Sequence, residues 1–142
     1  MLLFVSHSEE DTEAFAEGFA KTLKAGAVLA LRGGMGAGKT AFVRGLARGL
    51  DVGGEVASPT FALVHEHEGA IPLFHFDMYR VTNYDDLYST GFFDYLDSGA
   101  ILAVEWSENI PYALPSHTIR VTLTPLSETA REILIETPEE PA

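Results

Sequence analysis

Apolar positions along the chain fall into short continuous runs separated by stripes of helical spacing. Met1-Leu2-Leu3-Phe4-Val5 predicts a first strand, and Ser6 or Ser8 then offers a cap for a helix. That helix carries Phe15, Phe19 and Leu23 at i, i+4 and i+8 as a core stripe and stops at Gly26. Ala27-Val28-Leu29-Ala30-Leu31 is uninterrupted, as expected of a strand buried on both faces of a parallel sheet. A glycine-rich loop follows, and then Phe42, Val43, Leu46 and Leu50 at helical spacing, ended by Gly53-Gly54.

Farther on, Phe61 to Glu66 and Ile71 to Asp77 read as two strands of a hairpin around Glu68-Gly69, which introduces antiparallel pairing. A helical stretch from Tyr84 to Leu96 precedes the apolar run Ile101-Leu102-Ala103-Val104. Ile119 to Leu123 and Glu132 to Ile135 read as two further strands. The sum is an α/β fold: a mixed, mostly parallel sheet flanked by helices and carrying a β-hairpin insertion.

With 142 residues, 46% of them hydrophobic, there is material for one compact domain with a core and little for a separate substrate domain. We expect that domain to span residues 1–137, with 138–142 as a frayed tail. Cysteine is absent, which excludes a disulfide framework and a thiolate zinc site, and the cytoplasm is the expected location. The apolar start meets Glu9, Glu10 and Asp11 too soon for a membrane span, so no membrane partner is expected. A formal charge of −12 and scattered cations argue against tight independent binding to nucleic acid. Any nucleic acid would be held through a partner.

Gly33-Gly34-Met35-Gly36-Ala37-Gly38-Lys39-Thr40 satisfies the P-loop pattern between a buried strand and an amphipathic helix, so the expected fold is a single P-loop NTPase-like domain. Its glycines let backbone N–H groups turn toward phosphate oxygens, and the following helix adds the positive end of its dipole. Lys39 would reach the β- and γ-phosphates, and Thr40 would place a hydroxyl on Mg²⁺. A carboxylate at the end of a neighbouring strand usually completes such a site. Asp77 and Glu105 compete for that place. Glu105 is favoured because Ile101 to Val104 reads as fully buried, whereas Pro72 marks the other run as an edge or hairpin strand. Asp77 would then orient water or a switch segment, or pair with Arg80. Ser58-Pro59-Thr60 lies where nucleotide switches sense the γ-phosphate, with Thr60 supplying a hydroxyl.

His65, His67 and His75 with Glu66, Glu68 and Asp77 suggest a transition-metal site only weakly. His65 and His67 alternate with acids and read more simply as an exposed strand face. Trp106 reads as a packing or interface aromatic rather than a base-stacking platform.

Gly33 to Thr40, Ser58-Pro59-Thr60-Phe61, His75-Phe76-Asp77-Met78-Tyr79-Arg80 and Glu105-Trp106-Ser107-Glu108 together resemble the TsaE (YjeE) family in order, spacing and overall length. The resemblance implies a Mg²⁺-dependent ATPase, slow alone, that acts with TsaB and TsaD. Their joint product would be the threonylcarbamoyl group on adenosine 37 of tRNAs reading codons that begin with A. It also implies that Lys39, Thr60, Asp77 and Glu105 serve catalysis and that Thr40 and Glu105 flank the metal. The loop from Gly33 to Ala41 would cradle ATP. Glu9 to Thr12 would lie near the adenine, and Arg131 would touch nucleotide. Gly34 stands where the family usually has an acid, and Ser107 where it usually has proline.

Two other functions fit a P-loop. A small-molecule kinase normally needs a cationic lid, yet the arginines stand apart at 32, 44, 48, 80, 120 and 131. A non-hydrolysing nucleotide-gated adaptor overlaps the ATPase reading. A GTPase is disfavoured because no guanine-reading Asn-Lys-x-Asp run is present.

Overall fold

The computed structural model describes residues 1–34, 37–52, 64–78, 81 and 83–138. The switch segment Ser58 to Thr60, the strand start at Phe61, the helix stop at Gly53-Gly54, Met35 and Gly36 of the loop, Arg80 and most of the tail lie outside the described residues. Seven strands form one sheet: β1 (Leu2–Ser6), β2 (Val28–Arg32), β3 (Val64–His67), β4 (Leu73–Asp77), β5 (Ile101–Glu105), β6 (Ile119–Pro125) and β7 (Arg131–Glu136). Their spatial order is β1-β7-β6-β2-β5-β4-β3. The β6-β2-β5-β4 centre is parallel, while β7 and β3 run against it, so five of the seven strands point the same way. The expected mixed sheet and its hairpin are present.

Side chains alternate across a strand, and the sheet therefore has two cores. On one face, Leu29, Leu31, Leu73, Ile101, Ala103 and Val121 pack under helices α1 (Glu9–Ala20) and α2 (Lys39–Gly49). On the other, Val28, Phe76, Leu102 and Val104 pack with Leu87 and Phe92 of the short helices α3 (Tyr84–Ser89) and α4 (Phe92–Leu96). The single helix expected from Tyr84 to Leu96 is thus two. Thr90 turns its hydroxyl back to the Leu87 carbonyl and Gly91 sits at φ +79°, which ends one helix and starts the next.

Other boundaries also moved. The Ser8 side chain accepts from the Asp11 amide and begins α1, but the helix ends at Ala20, well before Gly26. The amides of Thr22 and Leu23 fold back onto the carbonyls of Phe19 and Ala20, tightening the chain out of the helix. Fully buried on α1 are Thr12, Ala16 and Ala20, with Phe15 and Phe19 flanking them, half-buried. The reason is the partner. A Cβ on Gly45 of α2 would stand 2.3 Å from the Glu13 carbonyl oxygen, and one on Gly49 2.4 Å from that of Glu17, so the two backbones nearly touch. Only small side chains fit between them.

α2 stops before Gly53-Gly54. Asp51 takes the left-handed position at φ +54°, with Val52 N–H on the Ala47 carbonyl and Asp51 N–H on that of Arg48, a Schellman closure made without glycine. Pro72 does not mark an edge. β4 is paired on both sides, and Pro72 sits just ahead of it, where its carbonyl accepts from Ile101 and its missing N–H costs nothing. β3 is the edge on this side of the sheet.

Candidate functional site

The parallel strands β2, β4 and β5 all end on one side of the sheet, where ligands of open α/β folds collect. β2 leads into the glycine-rich loop. Gly33 has φ +149°, and a Cβ there would lie 2.8 Å from the Leu123 carbonyl oxygen and 2.9 Å from Ala37 Cβ, so the loop's first turn admits no side chain. Gly38, at φ +97°, stands at the N-cap of α2, and among the described residues no side chain caps it. The start of α2 thus carries the positive end of the helix dipole with no side-chain cap among the described residues. Ala37 and Ala41 are buried beneath the loop, and Thr40 is half-buried at the helix start. Gly34 is exposed, and a Cβ there would meet nothing within 4 Å.

Lys39 is only 7% exposed. Its Nζ lies 3.7 Å from Glu105 Oε1 and 4.5 Å from the centre of the Trp106 ring. Both contacts follow from the topology. Glu105 ends β5 opposite Leu31 of β2, and Trp106, in the left-handed conformation at φ +59°, swings its ring toward the start of α2. Beyond the strand ends, Met78 N–H bonds the Glu105 carbonyl at 3.0 Å and the Asn109 side chain donates to the Met78 carbonyl at 2.8 Å. The two acids thus leave strands that are fastened together. Asp77 is the register partner of Glu105 and is half-buried.

The other Glu105 oxygen is engaged from beneath. His75 Nε2 lies 2.5 Å from Glu105 Oε2, and the ring is fully buried. His75 stands opposite Ala103, two residues before Glu105 on the same face, so the pair is a diagonal neighbour across parallel strands.

Not every expected residue converges. Arg131 starts β7 and passes close to Gly38, while its Nη1 donates to the Ser127 and Ala130 carbonyls at 2.8 and 2.9 Å. Ser6 gives its single hydroxyl proton to the Ser8 carbonyl, so the buried Thr12 hydroxyl donates to Ser6 Oγ at 2.7 Å and closes the β1–α1 junction. Glu9 is exposed at the start of α1. Thr60, Met35 and Gly36 lie outside the described residues.

The expectation of an exposed histidine face is corrected. His67 is 4% exposed and His65 half-buried, because the hairpin register turns both toward the side carrying His75, and the following loop packs on Val52. Among the described residues no group of three histidine, aspartate or glutamate side chains is arranged to hold a metal. His75 and Trp106 are the site's unassigned members. A histidine facing inward on a strand of buried neighbours was a signal for the first; the left-handed turn after Glu105 left no sign in the sequence for the second.

An α/β sheet with a parallel centre, and a buried lysine following a glycine-rich loop at the C-terminal end of one of its central strands, define a P-loop fold. The family model described as threonylcarbamoyl adenosine biosynthesis protein TsaE matches residues 6–133. The chain belongs to the TsaE family. Similar proteins include tRNA threonylcarbamoyladenosine biosynthesis protein TsaE of Treponema pallidum, 35% identical over 131 residues that make up 92% of this chain and 97% of that one. The protein of the same name from Aquifex aeolicus is 48% identical over 107 residues, 73% of this chain and 75% of that one. The crystal structure of Bacillus subtilis YdiB superposes with a TM-score of 0.83 at 31% identity, covering 97% of this chain and 86% of that one. In the described residues no helix is long and apolar enough to cross a membrane.

Proposed function

We propose that this protein binds and hydrolyses Mg²⁺-ATP in the cytoplasm as a subunit required for tRNA threonylcarbamoyladenosine formation, acting on adenosine 37 with TsaB and TsaD. The observation that carries the reading is the desolvated Lys39 ammonium, held at the start of α2 just after the glycine-rich loop with the Glu105 carboxylate 3.7 Å away. A buried cation whose contacts among the described residues are one carboxylate and one ring face is suited to exchange them for phosphate oxygens, which are stronger acceptors in a dry site.

The donors fit Mg²⁺. Glu105 and the Thr40 hydroxyl offer hard oxygen at the phosphate end of the loop, with Asp77 on the next strand, and hard oxygen is what that ion selects. When bound, Mg²⁺ would neutralise charge on the phosphate oxygens. Lys39 holds the phosphates, the backbone of Gly33 to Ala41 encloses them, and Asp77 and Thr60 serve the attacking water and the nucleotide-sensing segment. Arg131 and the start of α1 near Glu9 flank the nucleotide. Thr12 contributes by fixing that helix start through Ser6.

Among the described residues Arg44 and Arg48 give a kinase lid no support, since both are engaged with Glu13 of α1. At −12 the chain would meet tRNA only through its partners. Phosphate release by the purified chain, alone and with TsaB and TsaD, tests the reading: slow Mg²⁺-dependent turnover that grows with the partners is expected. Turnover that requires a small phosphate acceptor instead would defeat it.

A further inference from the structure

His75 has no place in the functions assigned above, yet it is fully buried and in contact with the acid that matters most. Its two nitrogens differ. Nε2 faces Glu105 Oε2 at 2.5 Å, whereas Nδ1 is buried with no hydrogen-bond partner among the described residues. A ring with its proton on Nδ1 would strand a buried donor and set a bare nitrogen against a carboxylate oxygen. With the proton on Nε2, the bond to Glu105 is made and only an acceptor is left over, the cheaper arrangement.

We infer that His75 is a positioning residue: its Nε2–H fixes Glu105 through Oε2, so that Oε1 is turned to the Lys39 side, where phosphate and Mg²⁺ would meet. The inference rests on the Mg²⁺-ATP reading of the site. Two further features give the ring its stiffness. It lies on β4, the doubly paired strand beside β5, and the His65 ring packs edge-on against it at 6.4 Å. A carboxylate left on its own in this setting would be free to rotate toward Lys39 with either oxygen. Groups behind a metal-binding carboxylate commonly change metal affinity 10- to 100-fold.

The test compares wild type with His75→Leu, which removes the donor, and His75→Gln, whose amide NH₂ reaches about where Nε2 stands. Mg²⁺ is titrated against binding of a fluorescent non-hydrolysable ATP analogue and, separately, against phosphate release. His75→Leu is expected to raise the Mg²⁺ concentration for half-effect about tenfold or more while leaving analogue binding without Mg²⁺ unaltered, and His75→Gln is expected to recover most of the loss. A folded His75→Leu with wild-type Mg²⁺ dependence overturns the inference. So does His75→Gln behaving no better than His75→Leu, which would make the ring a packing element. Should His75→Leu not fold, the proton's position on the wild-type ring, read by ¹⁵N NMR, decides: Nε2–H supports the inference and Nδ1–H overturns it. A wild type indifferent to Mg²⁺ overturns the reading of the site and this inference together.

Discussion

Two regions on the same face of the sheet are built on opposite terms. Where α1 crosses α2 the contact is made of Ala16, Ala20, Gly45 and Gly49, and charge is kept to the rim, with Arg44 and Arg48 reaching Glu13 from 42% and 51% exposure. At the head of α2 the relation is reversed: Lys39, Glu105 and His75 are 7%, 5% and 0% exposed. Desolvating such groups is costly, and a well-packed apolar cluster of equal volume would serve stability as well or better. The first region is what a fold needs. The second is what the proposed ligand site needs: Lys39 and His75 both engage Glu105, and one buried nitrogen, His75 Nδ1, is left without a partner among the described residues.

Breaking the second region should have the largest effect. Lys39→Ala removes one partner of a desolvated charge contact and is expected to weaken ATP-analogue binding by about 2–4 kcal/mol, roughly 30- to 1,000-fold, as read by calorimetry. Unaltered affinity would mean that the lysine is only structural. Glu105→Gln, close in shape, should slow Mg²⁺-dependent hydrolysis by about 100-fold while analogue binding changes far less, an effect on the order of 2.7 kcal/mol. Equal losses in both would assign the acid to binding rather than turnover.

The first region breaks differently. Gly45→Ala gains helix propensity of about 1 kcal/mol but forces a methyl into the Glu13 carbonyl, and overpacking against backbone costs about 1–3 kcal/mol or more. At 2.3 Å the clash wins, so a lowered melting temperature with unaltered nucleotide affinity per folded molecule is expected. Raised stability would show that the helices separate freely.

The rim pairs should matter least. Hydrogen bonding from Arg44 is the largest influence on Glu13 and, with the attraction of both arginines, outweighs burial, holding the carboxyl below its usual range. A lowered native value means stability that is present above the unfolded value of about 4.3 and is lost as pH falls through the native one. Glu13→Gln should therefore cost less than about 1 kcal/mol at pH 7, and the gap between variant and wild-type melting curves should close on acidification below about pH 4. A gap that widens in acid would reverse the sign. Gly34→Glu, on a loop lip with open space, should leave stability within about 0.5 kcal/mol of wild type.

Strand runs such as Val28 to Leu31 and Ile101 to Val104 were legible because burial on both faces leaves a continuous apolar signature. The P-loop was legible because each of its residue types answers a stated chemical need. Boundaries were less so. The end of α1 was set by backbone turns at Thr22 and Leu23, and that of α2 by Asp51 in a conformation usually left to glycine. The stripe of Phe15 and Phe19 drew attention away from Ala16 and Ala20, since small residues carry little hydrophobic signal yet decide how closely two helices approach. His75 and Glu105 are 30 positions apart, and their contact exists only once β4 and β5 pair in a particular register. No local pattern encodes that.

Trp106 is the sole tryptophan of the chain, and its ring lies 4.5 Å from the Lys39 ammonium. Ultraviolet excitation at the red edge of protein absorption therefore addresses one indole, at the place where, on the proposed reading, the ammonium would turn from the ring to an arriving phosphate. The molecule would then carry its own optical gauge of occupancy, readable in dilute solution without any label.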